Sequence, residues 1–269
     1  MKNMLHTVHH FNFFFAPIQL CARKGPSRNL IASSLIMGLG IVSILIIISS
    51  SVSIAGKVKE RPVENGVLSV VQEMVSAFRR VEDYTCDVET IYYQRWQNES
   101  GYERYRFKFY FKRTKKIRVD FSQPYPGTIV IYSEGNEKAT VIPLNFLPSL
   151  RFNISLKTPM LRTPSGQRLD QTDMGYFIDF VFWSLKKIEQ EDVELRDDGE
   201  KITFFLRALD YINREKMEKY RIMISKKNWL PTRIERYELD GTPVESIQIR
   251  NYSINTHLDD HLFHPWDRQ

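Results

Sequence analysis

The sequence predicts a single α+β domain in the part of the chain from 66 to 269, which at about 200 residues is a usual size for one domain. Two segments have the apolar spacing of helices, and the segments between and after them alternate apolar and polar residues as β-strands do. Turn sequences such as Glu134-Gly135-Asn136 and Asp240-Gly241 join neighbouring strands, which favours hairpins. The predicted order is helix, strands, helix, strands.

The first predicted helix begins near Asn65 and Gly66. Its apolar residues recur at helical spacing: Val67, Val70, Val71, Met74 and Phe78. Arg79 and Arg80 follow at the end of the helix where the dipole is negative, and cations there are stabilising. The segment is therefore predicted to be one amphipathic helix.

The first set of strands is predicted at 84–94, 103–112, 116–121, 128–132 and 138–142. In the second of these strands, Tyr105, Phe107, Phe109 and Phe111 alternate with Arg104, Arg106, Lys108 and Tyr110. Because side chains alternate across a strand with period two, the first group shares one face and the cations share the other. One face of the predicted sheet must therefore meet apolar material.

Between the two sets of strands, the sequence predicts a long loop and a second helix. Prolines at 143, 148, 159 and 164 exclude a long strand or helix from 144 to 167, so this segment is a loop that is long enough to cover another part of the molecule. The helix is predicted from Asp170 or Thr172 to about residue 188, and its residues 176–183 are apolar on nearly all sides, which requires burial on more than one side. Strands follow at 193–196, 202–207, 219–225, 232–239 and 244–252.

The first 56 residues differ from the rest in charge and hydropathy. They hold four cations and no acid, so the remaining chain has 34 cations and 32 anions although the whole has a formal net charge of +6. This balance argues against a nucleic-acid surface. Residues 30–48 are apolar and uncharged, which suits either a membrane anchor or a signal sequence cleaved near Ala55. Both alternatives remain open.

These features divide the chain into a tail at 1–29, a signal sequence or transmembrane anchor at 30–56, a linker at 57–65 and an exported domain at 66–269. The cations on both sides of the apolar stretch favour a cytoplasmic N-terminus only slightly. With that orientation the domain 66–269 is exported, so it is predicted to be periplasmic or tethered to the inner membrane. Cys21 and Cys86 would then lie on opposite sides of the membrane, so no internal disulfide is predicted.

A set of short segments within 66–269 has a recognisable order and spacing. They are 110–113 (YFKR), 117–121 (IRVDF) followed by Gln123 and Pro124, 135–136 (GN), 139–143 (ATVIP), 229–234 (WLPTRI), 240–241 (DG), 254–255 (IN) and 259–263 (DDHLF). Together these segments resemble the periplasmic lipoprotein carriers of the LolA/LolB type and their relatives, over most of the predicted domain.

The resemblance implies an incomplete antiparallel β-barrel of about 10 or 11 strands that wraps around an apolar cavity, with helices closing its mouth. It also implies a carrier that shields acyl chains of lipoproteins or other lipids on the way to the outer membrane. Such a carrier is monomeric, needs no cofactor and performs no catalysis, and its partners are an inner-membrane donor or an outer-membrane acceptor.

The family has a Lys-Arg-Pro motif at a strand end, in which the arginine latches the lid by hydrogen bonds. Arg113 stands at the matching place in this sequence, but Thr114 follows it where the family has proline. The resemblance therefore implies a latch role for Arg113. The alternative is that Arg113 belongs to a solvated basic rim, because other cations surround it.

Inward-facing apolar residues of the strands and the second helix are the candidate lipid-binding residues. They are Tyr105, Phe107, Phe109, Phe111, Ile117, Val119, Phe121, Ile129, Ile131, Phe177, Phe180, Val181, Ile202, Phe204, Ile222 and Ile224. The alternative is an ordinary core in which they pack on one another. Lys112, Lys115, Lys116 and Arg118 form a candidate membrane-docking strip for anionic head groups.

No catalytic or metal site is predicted. The chain has no Gly-x-Ser-x-Gly elbow, phosphate loop or His-Glu-x-x-His motif. His257, His261 and His264 are interpreted as surface residues, next to a tail that Leu258, Leu262, Phe263 and Trp266 pin to the sheet. Two other functions remain open: a membrane-anchored envelope-stress sensor of related fold, which a retained anchor would favour, and a lipid-directed hydrolase.

Overall fold

A computed structural model describes residues 62–96, 99–186, 193–212 and 214–264 of the chain. The predicted tail, the apolar stretch 30–48 and Cys21, as well as Trp266, lie outside the described residues. The helices within the described ranges all fall short of the length and hydropathy that a membrane span requires.

Within those ranges the fold has two α-helices and eleven β-strands, in the predicted order. The elements are α1 (Pro62–Arg79), β1 (Asp83–Trp96), β2 (Glu99–Lys112), β3 (Lys116–Gln123), β4 (Ile129–Ser133), β5 (Lys138–Ile142), β6 (Phe152–Ser155), α2 (Met174–Leu185), β7 (Val193–Asp197), β8 (Lys201–Leu209), β9 (Met217–Ser225), β10 (Pro231–Tyr237) and β11 (Pro243–Ile254). Short 3-10 turns lie at Pro159–Leu161, Leu169–Gln171 and Asp260–Leu262.

All eleven strands form one antiparallel sheet in the order β6-β5-β4-β3-β2-β1-β11-β10-β9-β8-β7. β1 pairs with β2 on one side and with β11 on the other, so it joins two runs of sequential hairpins in the middle of the sheet. β6 and β7 are the edges, and the sheet is open. The predicted α+β class and the strand number are therefore confirmed.

Both helices contribute to the main hydrophobic core on one face of this sheet. Val67, Val71 and Met74 of α1 are buried in the same cluster as Phe109 of β2 and Phe204 of β8. α2 buries Met174, Phe177, Ile178, Phe180, Val181 and Ser184. Burial of α2 on more than one side is therefore confirmed, while Asp179 on its remaining side is exposed.

The start of α2 lies close to the end of α1. A Cβ atom added to Gly175 would lie 2.7 Å from Cε1 of Phe78, which is closer than real Cβ contacts. The ring of Phe78 therefore packs directly on the backbone of α2. Only glycine leaves room for this approach.

Both helix starts differ from their predicted positions. α2 is capped by Asp173, not by Asp170 or Thr172: its Oδ1 accepts from the backbone N–H of Tyr176 at 3.2 Å, and its backbone is extended. Asp170 instead lies in the preceding 3-10 turn. α1 begins at Pro62, inside the predicted linker 57–65, because proline is well suited to the first position of a helix.

A second, smaller apolar cluster covers the opposite face of the sheet. Phe263, which is fully buried, packs there with Ile129, Ile131 and Ile142, and Leu258 and Leu262 lie beside it. The predicted pinning of the C-terminal segment is confirmed for these three residues of the tail. Both faces of β4 are therefore buried, by different parts of the chain.

Candidate functional site

An apolar cavity of about 160 Å³ lies between the sheet and the segment that leads into α2. Its strand wall consists of Tyr84, Cys86, Val88, Thr90, Tyr92, Tyr105, Phe107, Phe109, Val119, Phe121, Val130, Ile234, Glu245, Ile247 and Ile249. Its cover consists of Leu161, Arg162, Thr163, Pro164, Gln167, Leu169, Thr172, Asp173, Met174 and Phe177, with Tyr211 from the β8–β9 connection. The second part of the predicted covering loop thus lies over the cavity.

The strand wall follows directly from side-chain alternation and register. Cys86, Val88 and Thr90 of β1 stand opposite Phe109, Phe107 and Tyr105 of β2, and all six project to the same side. Phe109 and Phe107 in turn face Val119 and Phe121 of β3, and Val119 faces Val130 of β4. Four neighbouring strands therefore supply one continuous apolar surface.

The thiol of Cys86 belongs to this apolar wall. Cys86 is buried, and within the described ranges it is the free cysteine of the protein. Burial, together with the nearby charge of Asp87, raises the pKa of the thiol well above its usual value. Cys86 is therefore protonated at neutral pH and reacts only when reagent reaches the cavity.

One part of the cavity wall is polar, and it is built by a buried ionic group. Arg236 of β10 and Glu245 of β11 are register partners, with Nη1 of the arginine 2.8 Å from Oε2 of the glutamate. Nε of Arg236 also lies 2.9 Å from Oε2 of Glu218. The hydroxyl of Tyr211 donates to Oε2 of Glu245 at 3.2 Å, and the side-chain amide oxygen Oε1 of Gln167 lies 3.3 Å from the same hydroxyl.

This group contains two carboxylates and one guanidinium. Burial raises the pKa of Glu245, although hydrogen bonds from Arg236 and Tyr211 oppose the shift. Burial alone disfavours the charged guanidinium, but the carboxylates raise the pKa of Arg236 overall, so Arg236 keeps its charge. The carboxylate of Glu245 thus gives the mostly apolar cavity a polar, hydrogen-bonded region on its strand wall.

The turn between β2 and β3 contacts both helices through adjacent cations. Arg113 donates from Nε to the carbonyl of Val81 at 2.6 Å, and from Nη2 to those of Phe78 at 2.7 Å and Arg79 at 3.2 Å. These carbonyls lie at the end of α1 and just after it, where helical N–H donors run out, and the carbonyl of Phe78 also accepts from the N–H of Val81 at 3.0 Å. Nζ of Lys115 lies 3.3 Å from Oδ2 of Asp173, the N-cap of α2.

The structure divides the predicted lipid-binding residues into three groups. Tyr105, Phe107, Phe109, Val119, Phe121 and Phe177 line the cavity. Phe111, Ile117, Phe180, Val181, Ile202, Phe204, Ile222 and Ile224 lie in the core of the same face, away from the cavity wall. Ile129 and Ile131 lie on the opposite face, against Phe263.

The placement of Ile129 and Ile131 corrects the sequence interpretation. Their neighbours Val130 and Tyr132 point to the main core, because β4 pairs with β3 such that Val119 faces Val130 and Ile117 faces Tyr132. Side-chain alternation then turns both isoleucines to the other side. Ile129 and Ile131 therefore pack against the C-terminal segment and do not line the cavity.

The predicted docking cations all lie beside acids. Lys112 and Lys116 each approach Oδ1 of Asp260 to 2.9 Å, and Lys112 also donates to the carbonyl of Leu258. Arg118 forms a two-bond pair with Asp120 and donates to the carbonyl of Leu262 at 2.9 Å. Lys112, Lys116 and Arg118 therefore hold the C-terminal segment on the sheet, and Lys115 holds α2. Their membrane contact stays a prediction.

Sequence reasoning missed much of the cavity wall. The alternation of Tyr84, Cys86, Val88, Thr90 and Tyr92 in β1 is a period-two signal that could have identified this strand as a wall. The apolar residues Ile247 and Ile249 of β11 follow the same rule. The covering residues 161–173 and the position of Tyr211 have no comparable local signal, since tertiary packing places them.

No protein-family model matches the sequence, and no curated protein matches it. Solved structures similar to the chain include a LolA superfamily protein from Nitrosomonas europaea, with 13% identity and a TM-score of 0.34, which covers 73% of this chain and 96% of that chain. The lipoprotein LppX from Mycobacterium tuberculosis has 13% identity and a TM-score of 0.39, and covers 72% of this chain and 98% of that chain.

The Pseudomonas aeruginosa MucA/MucB complex is also similar, with 12% identity and a TM-score of 0.31, and the match covers 73% of this chain and 60% of that chain. The open antiparallel sheet of eleven strands agrees with the strand arrangement that the sequence resemblance implies. All three TM-scores are below 0.5, so the similarities themselves carry no further argument.

Proposed function

We propose that this protein binds the acyl chains of a lipoprotein or another lipid in the apolar cavity and carries them without chemical change. The observation that carries the proposal is the cavity itself, an apolar space of about 160 Å³ beneath a cover that is separate from the sheet. A packed core leaves no such space, since voids larger than a water molecule are few in ordinary protein interiors.

The cavity in this state is too small for a whole acyl chain. An engineered cavity of about 150 Å³ holds one benzene molecule, and a chain of roughly 16 carbons is much longer. Acyl-chain uptake therefore requires the cover to move and the cavity to extend. Burial of such a chain is worth on the order of 10 kcal/mol at about 0.8 kcal/mol for each methylene, which is enough to offset an opening that costs a few kcal/mol.

We infer that the movable part is the cover 161–174 with the start of α2. Its polar links to the sheet side include the ion pair of Lys115 with Asp173 and the bond from the backbone N–H of Met174 to the hydroxyl of Tyr84, at 3.2 Å. Lys115 is then the latch of α2, while Arg113 holds the end of α1. The family resemblance implies a latch role for Arg113 alone, and we infer that Arg113 and Lys115 of the same turn share it.

The proposed carrier is exported and acts in the periplasm as a monomer between a donor in the inner membrane and an acceptor in the outer membrane. A second candidate is an envelope-stress sensor that uses the same cavity while tethered to the membrane. The apolar stretch 30–48 supports it, since its length suits an anchor. N-terminal sequencing of the exported protein separates the two: a start near residue 57 favours the carrier, and an uncleaved chain favours the sensor.

Mass spectrometry of the protein extracted from native membranes in an amphipathic polymer tests lipid binding directly. We expect one lipid or acylated peptide for each protein molecule. A second measurement uses Cys86 in a Cys21→Ser background: a bound fatty acid in the cavity should slow the reaction of Cys86 with a maleimide, because the thiol lies on the cavity wall. Absence of bound lipid together with unchanged Cys86 reactivity at saturating fatty acid would refute the proposal.

A further inference from the structure

The loop between β5 and β6, together with Phe152 at the start of β6, exposes an apolar surface that the cavity does not use. Phe146 is 78% exposed, Phe152 50%, Leu147 44% and Leu150 38%. These four residues lie within seven positions of one another in the sequence. Apolar side chains gathered in this way on a soluble surface mark a contact site with a partner or a membrane.

The loop that carries these exposed side chains has a defined, hydrogen-bonded backbone conformation. Its backbone makes two successive turns, in which the N–H of Leu147 donates to the carbonyl of Leu144 at 2.9 Å and that of Leu150 donates to Leu147 at 3.0 Å. The hydroxyl of Thr128 donates to the carbonyl of Pro143 at 3.1 Å and fixes the base of the loop to β4. The apolar tip is therefore presented on an anchored support.

The loop itself carries only positive charge. Residues 143–151 contain no aspartate or glutamate, and their one charged residue is Arg151, which adjoins the apolar tip. The other cations between 138 and 169 lie elsewhere: Lys138 pairs with Ser155 at the far end of the β5–β6 hairpin, and Arg168 pairs with Asp170. Asp120 lies beside the loop, in a surface depression that it shares with Asn145 and Pro148, but Arg118 pairs with it through two hydrogen bonds. An apolar tip that has no acid and adjoins a cation is complementary to an anionic lipid surface.

A second exposed leucine, Leu239, shows that an exposed apolar residue does not always have neighbours whose charge suits an anionic membrane. Leu239, at the β10–β11 turn, is 48% exposed, which is close to the value for Leu147. Its sequence neighbours are Glu238 and Asp240, so anionic lipid would repel this turn. The predicted docking strip is also less suitable, because Asp260, Asp173 and Asp120 lie against its cations.

We propose that the β5–β6 loop docks the protein on an anionic phospholipid bilayer, with Phe146 and Leu147 inserted into the head-group region and Arg151 at the lipid phosphates. Aromatic and aliphatic side chains partition favourably into this region, and cations are attracted to the anionic leaflet. The docked loop gives the cavity a fixed contact with the membrane that supplies or receives lipid. That last step rests on the proposed function, whereas the docking does not.

The test uses the full chain, with Cys21→Ser and Cys86→Ala so that the label has one site, incorporated in vesicles that contain doxyl-labelled quencher lipids. A fluorophore is attached at Leu147→Cys in one sample and at Leu239→Cys in the matched control. In vesicles that contain phosphatidylglycerol, we expect strong quenching and a blue shift for the label at 147 and neither for the label at 239. In vesicles of phosphatidylcholine alone, quenching at 147 should be weak. Phe146→Asp should lower the quenched fraction by about fivefold or more.

Equal quenching at the two positions, or quenching at 147 that does not depend on the anionic lipid, would overturn the proposal. Cross-linking between copies through the label site at 147 in the absence of quenching would assign the loop to self-association instead. Fatty-acid displacement is measured in the same samples. If docking fails while fatty acid still binds, only the loop inference is lost, and if docking occurs without fatty-acid binding, only the proposed function is lost.

Discussion

Lys115 and Asp173 form an ion pair that joins the β2–β3 turn to the N-cap residue of α2, with 3.3 Å between Nζ and Oδ2. The lysine is about one third exposed, whereas the aspartate is almost fully buried and also caps α2. One carboxylate therefore stabilises the helix end through Oδ1 and holds the cover through Oδ2. Breaking the pair at the lysine leaves the cap intact.

Lys115→Gln should increase the fraction of molecules in which the cavity is open. A partly exposed pair of this kind is worth about 1 kcal/mol, so the open population should rise about fivefold. The measurement is the rate at which Cys86 reacts with a maleimide in the Cys21→Ser background, since the reaction depends on opening. Lys108→Gln is the matched control, because this exposed cation of β2 lies on the other face. An equal rate for both variants would show that the pair does not hold the cover.

The buried group around Arg236 predicts very different losses of stability for two charge-removing substitutions. Arg236→Met should lower the free energy of unfolding by about 3–5 kcal/mol, because Glu218 and Glu245 remain buried without their cation. Glu245→Gln should change it by less than about 1 kcal/mol at pH 7, because the amide oxygen still accepts from Arg236 and Tyr211 and an excess buried charge is removed. Urea denaturation measures both values.

The pKa of Glu245 predicts how the stability difference between Glu245→Gln and the unsubstituted protein depends on pH. Burial raises that pKa above its ordinary value of 4.5, so the folded state binds the proton more tightly than the unfolded state. The stability that protonation contributes is complete at low pH and is lost as pH rises above about 4.5. The free energy of unfolding of Glu245→Gln should therefore rise relative to that of the unsubstituted protein as pH rises from 4 to 8. A gain in the opposite direction would contradict the raised pKa.

The sequence predicts the secondary structure and the apolar face well, because both depend on short-range periodicity. The alternation of Tyr105, Phe107 and Phe109 in β2 places them on the cavity wall as expected. The same rule does not work for β4, because its residues Ile129, Val130, Ile131 and Tyr132 are all buried. An uninterrupted apolar run does not indicate which of its side chains face the cavity side of the sheet.

Long-range pairing accounts for the remaining differences. Arg236 meets Glu245 only through the register of β10 and β11, and nothing local to either residue specifies that register. Lys112 and Lys116 meet Asp260 only when the C-terminal segment folds back over the sheet. Cations that the sequence presents as a free strip are therefore partners of acids that lie far away along the chain.

The anchoring of the C-terminal segment should weaken in acid. Hydrogen bonds from Lys116 and Lys112 lower the pKa of Asp260 to about 2, so its contribution to stability is present above about pH 4 and is lost as pH falls towards 2. We expect the difference in Tm between the unsubstituted protein and Asp260→Asn to vanish near pH 2. The difference should be small, because Asp260 is largely exposed, and smaller still in high salt. A difference that does not vary with pH would rule out this contribution.

Val130 and Ile131 are adjacent in β4 and provide the sharpest test of the two faces. Val130 lines the cavity, whereas Ile131 packs with Phe263 beneath the C-terminal segment. The same substitution at both positions adds a bulky ring to two different environments. Its effects on ligand uptake and on stability should therefore separate.

Val130→Phe should weaken fatty-acid binding by about tenfold or more, because the added ring occupies space that the ligand needs, and it should cost little stability because the cavity accepts part of its volume. Ile131→Phe should leave fatty-acid affinity unchanged but lower the free energy of unfolding by about 1–3 kcal/mol, because Ile131 is buried and packed in the cluster around Phe263. Fluorescent fatty-acid titration and urea denaturation measure the two quantities. Equal loss of affinity in both variants would mean that uptake depends on overall stability and not on the cavity, since only Val130 reaches the ligand.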